Sequence, residues 1–146
     1  MSGFSLSNLQ VQKILYLAHM TYAGVLDGAA LIGDEVFEAW AYGPVLPHVY
    51  RYLRSFGGDR VPNVFRRIDA PVNAATELRI LDDAVRTFAP MEPWRLVTLL
   101  HRTDGAWFKN YQTGRNRAIP MADILAEYRA RIRTPSAEGN AAAQPA

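Results

Sequence analysis

The hydrophobic pattern changes its period between residues 35 and 54, and this stretch organises the rest of the chain. Residues 36–42 alternate as in a strand, since successive side chains of a strand leave opposite faces. One side holds Val36, Glu38, Trp40 and Tyr42, and the other holds Phe37, Ala39 and Ala41. Gly43-Pro44 is predicted to end the strand, and Pro47 suits the first turn of a helix. That helix is predicted to run to Gly57-Gly58.

Other segments have helical spacing. Ser7 and Gln10 form the pattern of a capping box and predict a helix from there to Ala23, ended by Gly24. Its apolar face comprises Val11, Ile14, Leu15, Ala18 and Tyr22. Further helices are predicted over residues 78–88, 93–100, 106–111 and 120–133. The helix at 93–100, which includes Trp94, is apolar nearly all round and is expected to lie in the core. Residues 112–117 are predicted to be a polar loop. A short strand is predicted over residues 64–68, with the strand at 36–42 as its expected partner.

These elements predict one mainly helical α+β domain over residues 1–133, with five or six helices and a small strand pair. Residues 134–146 carry no large apolar side chain, so we expect a disordered tail. At 146 residues with 49% hydrophobic and 21% charged residues, the chain has the composition of an ordinary globular domain. It has no cysteine, which excludes disulfides and thiolate metal sites. No secretion signal or membrane span is visible, and we expect a cytoplasmic protein.

Charge is distributed unevenly, although the net charge is only +2. Residues 1–50 carry one cation against four carboxylates, whereas residues 102–133 carry seven cations against three carboxylates. Only Lys13 and Lys109 are lysines, so 14 of the 16 basic residues are arginine. The excess of arginine over lysine is best explained by a GC-rich coding bias, which favours arginine codons. The clustering favours an interface or a phosphate-binding surface, because the guanidinium binds acidic groups through a planar fork.

The residue types that carry out catalysis are scattered along the chain. His19, His48 and His101 have no metal-ligand spacing, and no nucleophile elbow is present. The adjacent carboxylates Asp82 and Asp83 diverge by about 100° on a helix and do not converge on one atom. We therefore expect no enzyme, no metal and no cofactor, and we expect His19 to be a packed, hydrogen-bonded residue.

Three blocks of the chain form a recognisable pattern. The first lies in the first predicted helix, the second spans the strand, turn and helix described above, and the third covers residues 99–111. The pattern residues of the first two blocks are Leu9, Lys13, Ile14, Leu15, Tyr16, Ala18 and His19, then Glu38, Ala39, Trp40, Tyr42, Gly43, Pro44, Val45, Pro47, Val49 and Tyr50. In this order the blocks resemble the Panacea (SocA-like) antitoxin domain over about residues 6–133. The third block departs from the family pattern because Ala106 stands where a proline is common.

The resemblance implies an antitoxin that binds and neutralises a protein toxin. Within that family, SocA-like members resemble proteolytic adaptors that deliver the toxin to the ClpXP protease through its ClpX unfoldase. Aromatic and basic residues of the second and third blocks are candidate partner-binding residues, because such side chains concentrate interface energy. They are Tyr50, Arg51, Arg54, Trp107 and Lys109. Glu38, Trp40, Tyr42, Gly43, Pro44 and Pro47 are assigned to the structural motif.

Several alternatives stay open from the sequence. Trp107 is either a core residue or a contact residue, as is common for tryptophan. A second function class is a nucleic-acid-binding regulator of its own operon, using Arg115, Arg117, Arg129, Arg131 and Arg133. It is the less favoured class, since no helix-turn-helix is recognisable. A small hydrolase using His48 or His101 is a third.

Overall fold

The computed structural model describes residues 6–33, 35–54, 60–61 and 75–133. Within these ranges there are six helices and five short strands. The helices are α1 (Asn8–Val25), α2 (Pro47–Leu53), α3 (Ala75–Phe88), α4 (Pro93–Leu100), α5 (Ala106–Asn110) and α6 (Met121–Arg133). The strands are β1 (Leu6–Ser7), β2 (Glu38–Trp40), β3 (Gly43–Val45), β4 (Arg60–Val61) and β5 (Arg117–Ala118). The predicted mainly helical α+β domain is confirmed. The predicted strand at 64–68 and the tail at 134–146 lie outside the described residues.

Helix α1 is the centre of the fold and is covered on nearly every side. It begins at the predicted capping box, where Ser7 and Gln10 each bond the backbone of the other. It contacts α3 and α6 on one side and α4, α2 and β3 on others. The sequence predicted that only one apolar face of this helix is buried. The buried surface is wider than that face, because the polar side chains of Gln12, Lys13 and His19 are buried as well. His19 Nδ1 accepts a hydrogen bond from the backbone N–H of Ile32 at 3.2 Å, as predicted for a packed histidine.

The helix does not end at Gly24 as predicted. It continues for one more residue, to Val25, and Gly24 lies within its last turn. The ring of Tyr128 on α6 lies directly against the Gly24 backbone, so that a Cβ there would overlap the ring. The two helices approach each other closely at this point.

The small sheet has the order β3-β2-β5 and is antiparallel throughout. The alternation predicted for residues 36–42 holds only as far as Trp40, with Phe37 and Ala39 buried and Val36 exposed. Ala41 was expected on the side of Phe37 and Ala39 but is exposed, because β2 ends at Trp40 and residues 41 and 42 form a turn. Gly43-Pro44 does not break the strand, because these residues begin β3 and pair with β2 after a two-residue turn at Ala41 and Tyr42. Strand β3 therefore pairs with one edge of β2, and β5 pairs with the other. The strand β5 begins at Arg117, which was predicted to end a polar loop. A second antiparallel pair joins β1 to β4.

Gly43 has the positive φ that the turn requires, at +121°. A Cβ at this position would also lie 2.8 Å from Cε of Lys13. Both constraints favour glycine at this position. Pro47 begins α2, as predicted.

Glu127 on α6 is buried, at 1% exposure, and joins four helices through hydrogen bonds. Its Oε1 accepts from the Tyr16 hydroxyl of α1 at 2.8 Å and from the Ala106 backbone N–H at 3.0 Å. That N–H belongs to the first residue of α5, so Glu127 satisfies a donor that the helix itself leaves unpaired. Its Oε2 accepts from the guanidinium of Arg131 at 2.6 Å and 2.8 Å. Arg131 in turn donates to the Leu99 carbonyl in the last turn of α4 at 2.8 Å.

Arg131, named above as a candidate phosphate-binding residue of the nucleic-acid alternative, does not lie on an open basic surface. Its side chain is only 13% exposed and pairs with Glu127. The i,i+4 spacing from Glu127 to Arg131 brings the two groups together on α6. A sequence pattern cannot distinguish this buried pair from a surface pair with the same spacing.

We expect Glu127→Gln to lower the free energy of unfolding by about 3 kcal/mol or more, because it leaves the Arg131 cation without its carboxylate. Urea unfolding followed by circular dichroism measures the loss. The matched control is Glu92→Gln, since Glu92 is an exposed glutamate and its substitution should cost less than about 0.5 kcal/mol. Equal stability of the two variants would contradict a central role for Glu127.

Candidate functional site

A cavity of about 490 Å³ opens between the first half of α1, the β2–β3 turn, α2 and the start of α4. We call it the aromatic pocket. Its lining residues come from four separate segments, and most of them are apolar or aromatic. They are Asn8, Leu9, Gln12, Lys13, Trp40, Ala41, Tyr42, Val45, Tyr50, Arg54 and Trp94.

Two pairs of aromatic rings form the walls of the aromatic pocket. Tyr42 at the hairpin turn and Trp94 on α4 meet edge to face, with ring centroids 5.3 Å apart. Trp40 on β2 and Tyr50 on α2 form a second edge-to-face pair at 4.9 Å. Tyr42 and Trp94 are 57% and 56% exposed, although such large rings are usually buried. The ring pair is therefore fixed in orientation and still accessible to a partner.

The floor of the aromatic pocket is polar and belongs to α1. Gln12 accepts from the Leu46 backbone N–H at 2.9 Å and donates to Asn8 at 2.9 Å. Lys13 is 1% exposed, and its Nζ donates to the Pro44 carbonyl at 3.1 Å. These bonds attach the floor to the β3 strand and to the start of α2, so the pocket is built on well-connected elements.

Burial lowers the pKa of Lys13 from 10.5 to about 7, because the ammonium loses its hydration inside the protein. Among the described residues, Lys13 has a single hydrogen bond and no carboxylate partner. Lys13 is thus a buried cation without an opposite charge, at a position that lines an open cavity. Such perturbed groups are enriched at functional sites.

The structure brings only some of the predicted partner-binding residues together. Tyr50 and Arg54 line the aromatic pocket, whereas Arg51 is exposed on the same helix without lining it. Trp107 is buried at 7% exposure, and its indole N–H donates to the Trp40 carbonyl at 2.6 Å. Lys109 is exposed on α5. The second and third sequence blocks therefore meet through Trp40 and Trp107.

Trp107 lies in a stack of three rings behind the pocket wall. The His101 ring stacks on the Trp107 ring with the ring centroids 3.7 Å apart. The Tyr111 ring also stacks on Trp107, with the centroids 4.7 Å apart. Of the two possibilities left open by the sequence, the buried position of Trp107 agrees with a core residue that supports Trp40. Burial of the imidazole lowers the pKa of His101, and the nearby Lys13 charge lowers it further.

Sequence reasoning missed two important residues of this site. Trp94 was predicted to lie in the core, because α4 has little polar face, but it stands at the mouth of the aromatic pocket. Lys13 belonged to the resembling motif without being assigned to a binding site. Its position in the middle of an otherwise apolar helix pattern was the available signal.

Three of the seven basic residues between 102 and 133 contact carboxylates, so they do not form an unpaired basic surface. Arg131 pairs with Glu127, Arg129 lies 3.5 Å from Asp27, and Arg102 binds Asp104 through two nitrogens. The hydrogen bonds from Arg102 also lower the pKa of Asp104. No group of three histidine or acidic side chains capable of holding a metal occurs in the described ranges. None of the described helices is long and apolar enough to cross a membrane.

Comparison with protein families gives a match between residues 11–108 and the model described as "Antitoxin SocA-like, Panacea domain". This match covers more than half of the chain. The chain belongs to the SocA-like, Panacea-domain antitoxin family. The matched range runs from α1 into α5 and includes the pocket-lining residues from Gln12 to Trp94.

Among curated proteins, the chain is similar to "Antitoxin SocA" of Caulobacter vibrioides (strain NA1000 / CB15N). The two are 28% identical over 113 residues, which cover 70% of this chain and 58% of that protein. This Panacea-domain chain therefore spans less than two thirds of the length of its relative. No solved structure matches it.

The departure from the Panacea pattern at Ala106 has a structural counterpart. Ala106 is the first residue of α5, a position where proline is favoured because its missing N–H is not needed by the helix. Here the Ala106 N–H is needed, since it donates to the buried Glu127. A proline would remove this donor.

The stability of the protein should rise between pH 7 and 9 because of Lys13. Its folded pKa of about 7 lies below the ordinary value of 10.5, so the unfolded chain binds more protons throughout this range. The expected gain in unfolding free energy is on the order of 1–2 kcal/mol. Lys13→Met should abolish this gain, as measured by urea unfolding at several pH values. Lys109→Met, which removes the exposed lysine, should retain it.

This pH window separates Lys13 from other groups. Burial lowers the pKa of both His19 and His101 from 6.5, so these side chains titrate below the window. Tyr16 has its pKa raised by burial and by Glu127, so it titrates above the window. An unchanged pH slope in Lys13→Met would show that Lys13 is not the responsible group.

Proposed function

We propose that this chain is the antitoxin of a toxin–antitoxin pair and that it binds a protein toxin at the aromatic pocket. Membership of the SocA-like family supports the antitoxin role. One observation carries the choice of site: the Tyr42–Trp94 pair is more than half exposed at the mouth of a cavity whose polar floor on α1 is buried. Binding needs no catalytic group, and the proposal assigns none.

The composition of the aromatic pocket supports a protein partner. Tyrosine, tryptophan and arginine dominate interface energies, and all three line this cavity. The rings are held by edge-to-face contacts and by a hairpin, so little side-chain freedom is lost when a partner binds. Arg54 at the end of α2 is exposed and adds a charge at the rim.

The toxin is best sought as the product of a neighbouring gene that is lethal without this chain. With that protein as ligand, we expect Trp94→Ala to weaken binding at least about tenfold, or roughly 1.4 kcal/mol. Phe108→Ala is the matched control, because Phe108 on α5 is also half exposed but does not line the pocket. Calorimetric titration gives the affinities, and a melting curve for each variant confirms that it folds.

The adjacent arginines of α2 provide a second matched pair. Reversal of Arg54 by Arg54→Glu should weaken toxin binding at least about tenfold, and Arg51→Glu should have a smaller effect. Both side chains are exposed, and only Arg54 lines the cavity. Full affinity in folded Trp94→Ala and Arg54→Glu would exclude the aromatic pocket as the toxin site. The absence of any toxin that this chain neutralises would exclude the antitoxin role itself.

For the route of neutralisation, we propose delivery of the bound toxin to ClpXP, as the family resemblance implies. Delivery requires a second surface for ClpX, whereas simple masking of the toxin requires only one surface. The two routes differ in the fate of the toxin. We expect production of this chain to shorten the half-life of the toxin in cells, and depletion of ClpX to restore it. A stable toxin in the presence of this chain would instead indicate masking.

A further inference from the structure

We propose that the aromatic pocket selects an acidic anchor: a bulky apolar side chain next to an Asp or Glu side chain within one segment of the partner protein. This inference rests on the proposed function, because it names the chemistry of the segment that the toxin would insert.

The charged groups among the described residues of the aromatic pocket all have the same sign. Arg54 at the rim is a cation, Lys13 on the floor can be protonated, and no carboxylate occurs among the described lining residues. Glu38 lies near the wall, but its Oε1 already accepts a hydrogen bond from the indole N–H of Trp40 at 2.9 Å. A described lining with two basic side chains and no acid attracts an acidic group and disfavours a basic one.

Lys13 has hydrogen-bonding capacity that the described residues do not use. An ammonium has three donors, and in the described part of the chain only the Pro44 carbonyl accepts from it. Its burial without a carboxylate also makes the protonated form unfavourable, as the lowered pKa shows. A carboxylate entering the pocket would supply the missing opposite charge and restore the ammonium form.

The remainder of the aromatic pocket matches the apolar half of the anchor. Trp40, Tyr42, Tyr50 and Trp94 present ring faces and edges to the cavity. Its volume of about 490 Å³ lies in the range of about 300–1,000 Å³ that is usual for small-ligand pockets. This size favours a few side chains of a short segment over a broad, flat contact.

The test uses two blocked peptides with the full chain, acetyl-Leu-Phe-Glu-amide and its matched neutral form acetyl-Leu-Phe-Gln-amide. Both lack a terminal carboxylate, so any charge preference comes from the side chain. Nuclear magnetic resonance titration of the ¹⁵N-labelled protein follows the indole N–H of Trp94 and the backbone amide of Tyr42. We expect both signals to shift, and the Glu peptide to bind at least about tenfold more tightly than the Gln peptide.

Three variants assign the preference to the pocket cations. Lys13→Met and Arg54→Gln should each reduce the preference for the Glu peptide, whereas Arg51→Gln should leave it unchanged. Arg51 is the matched control because it is an exposed cation on the same helix that does not line the cavity. If Lys13→Met does not fold, Arg54→Gln tests the same point at an exposed site.

Several results would overturn the inference. Equal affinity for the two peptides would remove the acidic preference, and shifts confined to residues outside the pocket would remove the site. Equal losses in Arg51→Gln and Arg54→Gln would reveal only a general attraction to positive charge. No toxin takes part in this experiment. The acidic anchor can therefore fail while toxin binding stands, and toxin binding can fail while the peptide preference stands.

Discussion

The buried carboxylate of Glu127 is the interaction on which the arrangement of the helices depends. The carboxylate accepts hydrogen bonds from a side chain of α1 and from the first backbone N–H of α5. It also binds Arg131, which donates a hydrogen bond to the last turn of α4. Each of these groups would be unsatisfied in an apolar interior if the carboxylate were absent. One acidic side chain thereby fixes the mutual positions of α1, α4, α5 and α6. The shape of the aromatic pocket depends on these positions, since α1 forms its floor and α4 forms one side of its mouth.

Lys13 contrasts with Glu127, because it is equally buried and has no opposite charge among the described residues. The carboxylate is satisfied by several donors, whereas the ammonium has one carbonyl acceptor. Burying a charge in this way costs stability, and proteins tolerate such a cost most often where a site needs it. The two buried groups thus differ in kind: Glu127 is a structural position, and Lys13 is the position to which we assign the acidic group of a partner.

Local sequence patterns predicted the helices well, because capping boxes, prolines and apolar spacing act within a few residues. They could not predict how α1 is covered, since Lys13 and Gln12 look like a solvated face until α2, α4 and β3 surround them. Trp94 was misplaced for the opposite reason: an apolar helix reads as buried unless its neighbours are known. Tyr50 and Arg54, which line the pocket, were predicted as candidates because the resemblance and the composition of the segment pointed to the same helix. Neither signal could show that Trp40 and Trp107 connect the second and third sequence blocks.

The pairing of β5 with β2 has a consequence for synthesis on the ribosome. Strand β2 pairs with β3, which follows within a few residues, whereas its other edge pairs, among the described residues, with β5 at 117–118. Until β5 emerges, the nascent chain therefore exposes an unpaired edge of β2. The α6 carboxylate that organises the helices is made later still. A chain that has not yet reached α6 lacks the contacts that fix the pocket, so the proposed site can form only after α6 has been translated.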